Sequence, residues 1–287
     1  MIEFYLMENT KITFIGGGNM ALSLIGGLVS GNCPGGNISV SDPDSERLKL
    51  LQDQFGVKTF VADNCNAVVD ADIVLLAVKP QQLAAVATEI ASSLTNKSLL
   101  ISIAAGVREP DLQRWLGGGH AIVRTMPNTP SLLQSGATAL YANSEVTENQ
   151  RNLAESIMRA VGVTAWLDDE SQLDAVTAIS GSGPAYFFLL MEAMERTGVE
   201  LGLSAESARL LTLQTAFGAA KMALELPKSS SELRQQVTSP GGTTEQAILT
   251  FQQGEFENLV KDAVSAAHKR SIELGDILGD QSLEGAP

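Results

Sequence analysis

The chain has little of what several classes of protein require. Its 287 residues include two cysteines, Cys33 and Cys65, and two histidines, too few for a disulfide framework or a zinc-type cluster. It has 19 basic residues against 33 acidic ones, and a formal charge of -14 argues against nucleic-acid binding through a broad basic face. Aromatic residues make up only 5%, so the core must be aliphatic.

The chain also lacks targeting and membrane signals. No signal-peptide pattern opens it, and no apolar run approaches the roughly 18 residues that a membrane helix needs. We therefore expect a cytoplasmic protein with reduced thiols and without a membrane or nucleic-acid partner. The first ten residues precede any regular pattern, and we expect them to form a short arm.

Between residues 11 and 167, short β-branched runs alternate with amphipathic stretches. This alternation predicts an α/β fold with an N-terminal Rossmann-type, doubly wound parallel sheet. Residues 137–141 and 163–166 are expected to extend the sheet. The first five strand candidates are near-continuous apolar runs, as expected for buried parallel strands, at residues 11–15, 37–41, 72–78, 98–103 and 120–124.

After residue 170 the sequence changes to alanine, leucine and methionine at helical spacing, with no convincing strand. We predict two domains, a Rossmann dinucleotide-binding domain over 11–170 and an all-helical dimerisation and substrate domain over 171–287. The predicted helices of the second domain cover 174–197, 204–225, 230–236, 243–252 and 255–274.

A glycine-rich turn follows the first predicted strand and leads directly into a helical run. It has the G-x-G-x-x-A pattern from Gly16 to Ala21, and it suits the pyrophosphate of a dinucleotide because the helix start offers unpaired N–H groups. An acidic residue, Asp42, ends the second strand at the distance expected of a partner for a ribose hydroxyl. The predicted cofactor contacts in these two segments are Gly16, Gly17, Gly18, Asn19, Met20, Ser41 and Asp42.

The choice between NADPH and NADH stays open at this point. Asp42 disfavours a 2′-phosphate by charge repulsion, whereas Arg47 and Ser41 could accept one. Arg47 could equally be a solvated residue of a surface helix.

Further loops are expected at the ligand-binding edge, outside the carboxyl ends of the strands. Lys79 is either a cofactor contact or the first residue of a helix, and Asn64 is a cofactor contact, a helix N-cap, or both. The predicted contacts in these loops are Asn64, Ala77, Val78, Lys79, Pro80, Ala104, Ala105 and Gly106.

A second candidate site lies in the helical half, in the run Val-Thr-Ser-Pro-Gly-Gly-Thr-Thr that ends at Thr244. Thr243 and Gln246 fit a capping box, which predicts that a helix starts here. A helix start with nearby hydroxyls can hold a small carboxylate without lysine or arginine. The predicted substrate contacts are Ser239, Gly241, Gly242, Thr243 and Thr244, with the carboxylate on the backbone N–H groups of 242–244.

These segments together resemble the pyrroline-5-carboxylate reductase family from residue 12 to about 274. The resemblance is carried by FIGGGNM, AVKP, SIAAGV, RTMPNTP, SGSGPAY and VTSPGGTT, of which the last two are the most specific. It implies NAD(P)H-dependent reduction of 1-pyrroline-5-carboxylate to L-proline, the last step of proline biosynthesis. It also implies interlocked homodimers, often joined into decamers, with an active site between two subunits.

The same resemblance places the Thr244 hydroxyl near the imine nitrogen, which makes it the predicted catalytic residue. This sequence departs from the family pattern at one position. Many NADPH-using members have an uncharged residue where this chain has Asp42.

Two other functions fit the sequence less well. β-Hydroxyacid dehydrogenases place a catalytic lysine four residues after a G-x-G turn, and here Phe187 occupies that position after Gly183. A nucleotide-sensing regulator would keep the glycine loop but would have no need for the loop from Ser239 to Thr244. Both are therefore disfavoured.

Overall fold

The structure, a computed structural model, describes residues 9–95 and 97–280. The predicted arm lies mostly outside the described residues, as do the last seven residues of the predicted helical domain. The chain forms two compact units: residues up to Ser182 together with those from Ala267 onward, and Gly183–Ala266. The predicted domain boundary near residue 170 stays a prediction.

The first unit is built on one eight-stranded sheet with the order β3-β2-β1-β4-β5-β6-β7-β8. The central strands are short and fully buried because helices cover both faces of the sheet. The strands are β1 (Ile12–Ile15), β2 (Ile38–Asp42), β3 (Lys58–Val61), β4 (Ile73–Leu76), β5 (Leu99–Ser102), β6 (Ala121–Met126), β7 (Gly136–Ala142) and β8 (Gly162–Trp166).

The sheet is parallel except where β7 pairs antiparallel with β6. The segment between these two strands holds a short 3₁₀ turn, Thr129–Leu133, and no crossover helix, so the chain reverses direction instead of returning parallel. β8 then pairs parallel with β7, after the crossover helix Glu148–Arg159. The predicted doubly wound α/β fold is confirmed, with this one antiparallel pair added.

The helices of the first unit up to Ser182 flank the sheet, and they are α1 (Asn19–Ser30), α2 (Ser45–Phe55), α3 (Asn64–Val68), α4 (Leu83–Ile90), α5 (Glu109–Leu116), α6 (Glu148–Arg159) and α7 (Gln172–Val176). Helix α5 was not predicted. It carries two signals that could have revealed it, Pro110 in its first turn and Gly117 in the left-handed region (φ 88°) directly after its last residue.

The hydrophobic core forms two layers, one on each face of the sheet. Alternate residues of the same strand enter opposite layers: Phe14 packs into the layer with α1, and Ile15 into the layer with α4. The aliphatic core expected from the low aromatic content is present, with leucine, isoleucine and valine in most of its positions.

The second unit is helical, with α8 (Gly183–Glu200), α9 (Ala205–Glu225), α10 (Ser230–Gln236), α11 (Thr243–Gln253) and the first part of α12 (Phe256–Gly279). The helix predicted over 174–197 is divided between α7 and α8 by a π-helical turn, Thr177–Gly181. Many large apolar side chains of this unit face outward, among them Phe187, Leu189, Leu201, Leu210, Phe217 and Leu224.

One helical stretch, Gln172–Glu200, is long and apolar enough to cross a membrane by length and composition. This differs from the expectation that no segment comes near that size. Length and composition do not distinguish a membrane helix from one that packs against protein, so no membrane location follows.

Two adjacent glycines of α1 provide a test of the core packing. A Cβ at Gly27 would lie 2.5 Å from the carbonyl oxygen of Ala160, whereas a Cβ at Gly26 would meet only the ring of Phe55, at 3.4 Å. Both substitutions gain helix propensity, but only Gly27→Ala brings a methyl group against a carbonyl oxygen. Gly27→Ala should therefore lower the free energy of unfolding by about 1–3 kcal/mol relative to Gly26→Ala. Chemical denaturation of the two variants measures this difference, and equal stabilities would contradict the close packing.

Candidate functional site

The glycine-rich turn lies between the ends of two strands. The N–H of Gly16 donates to the carbonyl oxygen of Ser41 at the end of β2, at 2.8 Å. Gly16 has φ 99°, and a Cβ there would lie 2.6 Å from the carbonyl oxygen of Ala77, just beyond β4. Only glycine fits this position, for both its backbone conformation and the space it occupies.

The start of α1 suits a phosphate group. Its N-cap is Gly18, which has no side chain to cap the first turn, so the N–H groups there lack intrahelical and side-chain acceptors. A Cβ at Gly18 would have only the Arg47 guanidinium within 4 Å, at 3.9 Å, so the backbone is open to a ligand. This open helix start fits the pyrophosphate of a dinucleotide.

Asp42 is held against the same loop. One carboxylate oxygen, Oδ2, accepts from the N–H of Gly17 at 2.7 Å, and the other, Oδ1, accepts from the N–H of Asp44 at 2.8 Å. The half-buried side chain therefore presents its negative charge at the end of β2, where a Rossmann acidic residue receives ribose hydroxyls.

Asn64 connects to two distant side chains. Its Oδ1 accepts from the Ser41 hydroxyl at 2.8 Å, and its Nδ2 donates to Glu89 at 2.9 Å. The N-cap of α3 is Asp63, whose carboxylate accepts from the N–H of Asn66, so the prediction of Asn64 as N-cap is wrong. The carboxylate of Glu89 determines the orientation of the Asn64 amide, and no local pattern in the sequence marks this role.

The glycine loop, the end of β2 and the segment after β4 enclose one cavity of about 620 Å³. Among the described residues, no lysine or arginine lines it, and the carboxylates on it belong to Asp42 and Glu89. Of the predicted cofactor contacts, the cavity brings together Gly16, Gly18, Ser41, Asp42, Asn64, Ala77 and Val78. It also brings in residues that sequence reasoning missed, Gln81, Gln82, Ala85, Val86 and Glu89.

Lys79 does not line this cavity. It is exposed and directly precedes a 3₁₀ turn, Pro80–Gln82. Lys79 therefore lies at a helix start, as its N-cap residue, and its cofactor contact stays a prediction.

The loop of Ala104, Ala105 and Gly106 leads to a different cavity. Gly106 borders a space of about 360 Å³ together with Arg108, Arg124 and Glu170. Arg124 is buried, and its guanidinium binds Glu170 at 2.5 Å; the same Glu170 oxygen accepts from the N–H of Glu109 at 2.6 Å. Glu170 thus links the end of β6 to the start of α5, the helix that follows this loop.

Tyr141 lies beside this ion pair. Burial raises the pKa of its phenol, and the carboxylates of Glu170, Glu109 and Asp169 raise it further, with a smaller opposing effect of Arg124. The phenol is therefore protonated at neutral pH and cannot act as a general base there.

The predicted substrate loop belongs to the second unit. Helix α11 begins at Thr243, as predicted, but its N-cap is Gly242, so the predicted capping box of Thr243 with Gln246 is wrong. Instead, Glu245 accepts from the N–H of Gly241 at 2.8 Å, and Gly241 takes φ 72°.

The N–H of Gly242 is already engaged, because it donates to the carbonyl oxygen of Ser239 at 3.0 Å. The expectation that this N–H holds a carboxylate stays a prediction. The N–H groups of Thr243 and Thr244 are in the first helical turn, where no intrahelical acceptor exists.

Comparisons with known proteins agree on one family. Residues 170–274 match a family model described as pyrroline-5-carboxylate reductase dimerisation, and residues 11–106 match one described as NADP oxidoreductase, coenzyme F420-dependent. A pyrroline-5-carboxylate reductase of Pseudomonas aeruginosa is 52% identical over 95% of this chain and 100% of its own length. The chain belongs to the pyrroline-5-carboxylate reductase family.

Solved structures of the family have the same fold. A pyrroline-5-carboxylate reductase from Coxiella burnetii superposes with a TM-score of 0.88 at 48% identity, covering 92% of this chain and 98% of that one. The Plasmodium falciparum pyrroline carboxylate reductase with NADP bound gives 0.84 at 31% identity, covering 94% and 99%. The predicted family, its NAD(P)H-dependent reduction of pyrroline-5-carboxylate to proline and its enzyme class are confirmed.

Gly16→Ala tests the glycine turn of this reductase. The added methyl would collide with the Ala77 carbonyl and would require an unfavourable left-handed conformation, so we expect NAD(P)H binding to weaken by more than about tenfold. The measurement is the Kd from quenching of intrinsic fluorescence. Gly36→Ala, at a glycine with nothing within 4 Å, is the matched control. Unchanged binding in Gly16→Ala would contradict the assignment of this turn to the cofactor.

Proposed function

We propose how the residues of this chain carry out the reduction of 1-pyrroline-5-carboxylate. The dinucleotide occupies the cavity of the first unit, with its pyrophosphate at the start of α1 and its adenosine ribose at Asp42 and Asn64. The supporting observation is the conjunction of an open helix start, a glycine-only turn and a fixed carboxylate around one cavity. NAD(P)H supplies the hydride that adds to the imine carbon of the substrate.

The carboxylate of the substrate binds at the start of α11, on the N–H groups of Thr243 and Thr244 and the Ser239 hydroxyl. Gly241 leaves the backbone open to the ring, since a Cβ there would have nothing within 4 Å, whereas a Cβ at Gly242 would lie 3.0 Å from the Ser239 carbonyl oxygen. A helix start binds an anion through oriented N–H groups, which suits a chain whose formal charge is -14.

Thr244 acts on the ring nitrogen. We place the protonated nitrogen so that it donates a hydrogen bond to the Thr244 hydroxyl, which orients the adjacent electrophilic carbon. A threonine hydroxyl is a poor proton source at neutral pH, so the substrate arrives already protonated. The protein then contributes position and exclusion of water, which can account for a large part of such a rate enhancement.

Thr244→Val tests this role while keeping the branched shape of the side chain. Loss of one hydrogen bond to a charged group should reduce kcat/KM for the imine by about 10- to 100-fold, with NAD(P)H binding unchanged. The control is Thr250→Val in the same helix, where the hydroxyl donates only to the Gln246 carbonyl. An unchanged kcat/KM in Thr244→Val would contradict the proposed role.

We also propose that the enzyme works in the cytoplasm as a homodimer that assembles further into a decamer. The outward apolar side chains of the second unit support association, since they lie within the region matched to the dimerisation family. A domain boundary near residue 170 agrees with the first residue of that match.

Light scattering coupled to size-exclusion chromatography measures the assembly. We expect the mass of ten copies of the 30.3-kDa chain at micromolar concentration. Phe217→Glu, which places a charge on the apolar surface of α9, should lower that mass, whereas Glu206→Gln in the same helix should not. A wild-type mass of two copies would contradict the decamer but not the dimer.

A further inference from the structure

We infer that Asp42 makes this reductase prefer NADH over NADPH. The inference rests on the proposed placement of the dinucleotide in the cavity of the first unit. NADPH differs from NADH only by a phosphate on the 2′-oxygen of the adenosine ribose, so the preference is decided by the groups that face this oxygen.

The Asp42 carboxylate cannot easily turn away from the ribose position. Its two oxygens are held by two different backbone N–H groups, Gly17 at 2.7 Å and Asp44 at 2.8 Å. A ribose 2′-hydroxyl can donate to such a carboxylate, whereas a 2′-phosphate there would place further negative charge against it.

The rest of the cavity does not compensate this charge. Its lining includes Glu89 as a second carboxylate, and no lysine or arginine lines it. The Ser41 hydroxyl, which could have served as a donor to a phosphate, is buried and donates to Asn64. A phosphate would therefore meet repulsion without the cationic donors that bind it well.

Arg47 lies beside the glycine turn. Its guanidinium is 3.9 Å from where a Cβ of Gly18 would be, and the side chain is exposed on α2. Its Cδ and the Asp42 Oδ2 atom lie 3.5 and 3.4 Å from where a Cβ of Gly17 would be. At this turn the guanidinium can neutralise a pyrophosphate, which NADH and NADPH share.

Binding of the adenosine portion alone tests the inference without turnover. Calorimetry would compare adenosine 5′-monophosphate with adenosine 2′,5′-bisphosphate, which differ only by the 2′-phosphate that distinguishes NADPH. We expect the wild-type enzyme to bind the monophosphate at least about tenfold more tightly than the bisphosphate. Asp42→Asn, which keeps the size of the side chain and removes its charge, should reduce this ratio by about tenfold.

Asp44→Asn is the matched control, because it removes the same charge two residues away. The Asp44 side chain caps α2, accepting from the N–H groups of Glu46 and Arg47, and asparagine caps a helix equally well. The ratio of the monophosphate and bisphosphate affinities should be unchanged in this variant. If Asp42→Asn failed to fold, the ratio of the two affinities in the wild-type enzyme and in the Asp42→Ser variant would still test the inference.

Steady-state reduction of 1-pyrroline-5-carboxylate with each cofactor completes the test. A higher kcat/KM with NADH supports the inference. A higher kcat/KM with NADPH, or equal binding of adenosine 5′-monophosphate and the bisphosphate, would overturn it while leaving the proposed function intact. Reduction with neither cofactor would overturn the proposed function itself.

Discussion

The contact between Gly16 and the end of β4 is the constraint on which the cofactor site depends. Gly16 donates to the Ser41 carbonyl on one side and lies against the Ala77 carbonyl on the other. Because this turn is fixed between β2 and β4, the N–H of Gly17 points at Asp42, and α1 starts with an open first turn. A side chain at residue 16 would push the turn away from both strands, so the contacts of Gly16 and Gly17 with the ends of β2 and β4 would be lost together.

Two helix starts are suited to bind anions in this acidic protein. Helices α1 and α11 each have a glycine as N-cap, and no side chain caps their first turn. Each helix start offers oriented N–H groups to a negative ligand, and the effect is local because the field of a helix end falls off within a turn. A formal charge of -14 is therefore compatible with a pyrophosphate and a small carboxylate as ligands.

The errors in the predicted helix starts have a common physical cause. Asp63 and Asn64 can both cap a helix, and Asp63 does so because the Asn64 amide binds Ser41 and Glu89, which lie 23 and 25 residues away in sequence. At α11 the start was predicted correctly, but Glu245 binds the N–H of Gly241 and no side chain of Thr243 caps the turn. Local spacing shows that a cap is possible, and competing hydrogen bonds decide which residue makes it, with distant partners at Asn64 and a local one at Glu245.

The sequence by itself determined the alternation of strands and helices, the glycine turn and the motifs of the reductase family, because each depends on residues close together in the chain. Only the tertiary structure decided which side chains share a cavity. Asp42, Asn64 and Glu89 come from three elements, and their geometry is set by strand order and by hydrogen bonds across the fold. The antiparallel β7 was likewise beyond local patterns, since pairing direction depends on the path of the connection and not on the apolar pattern of the strand.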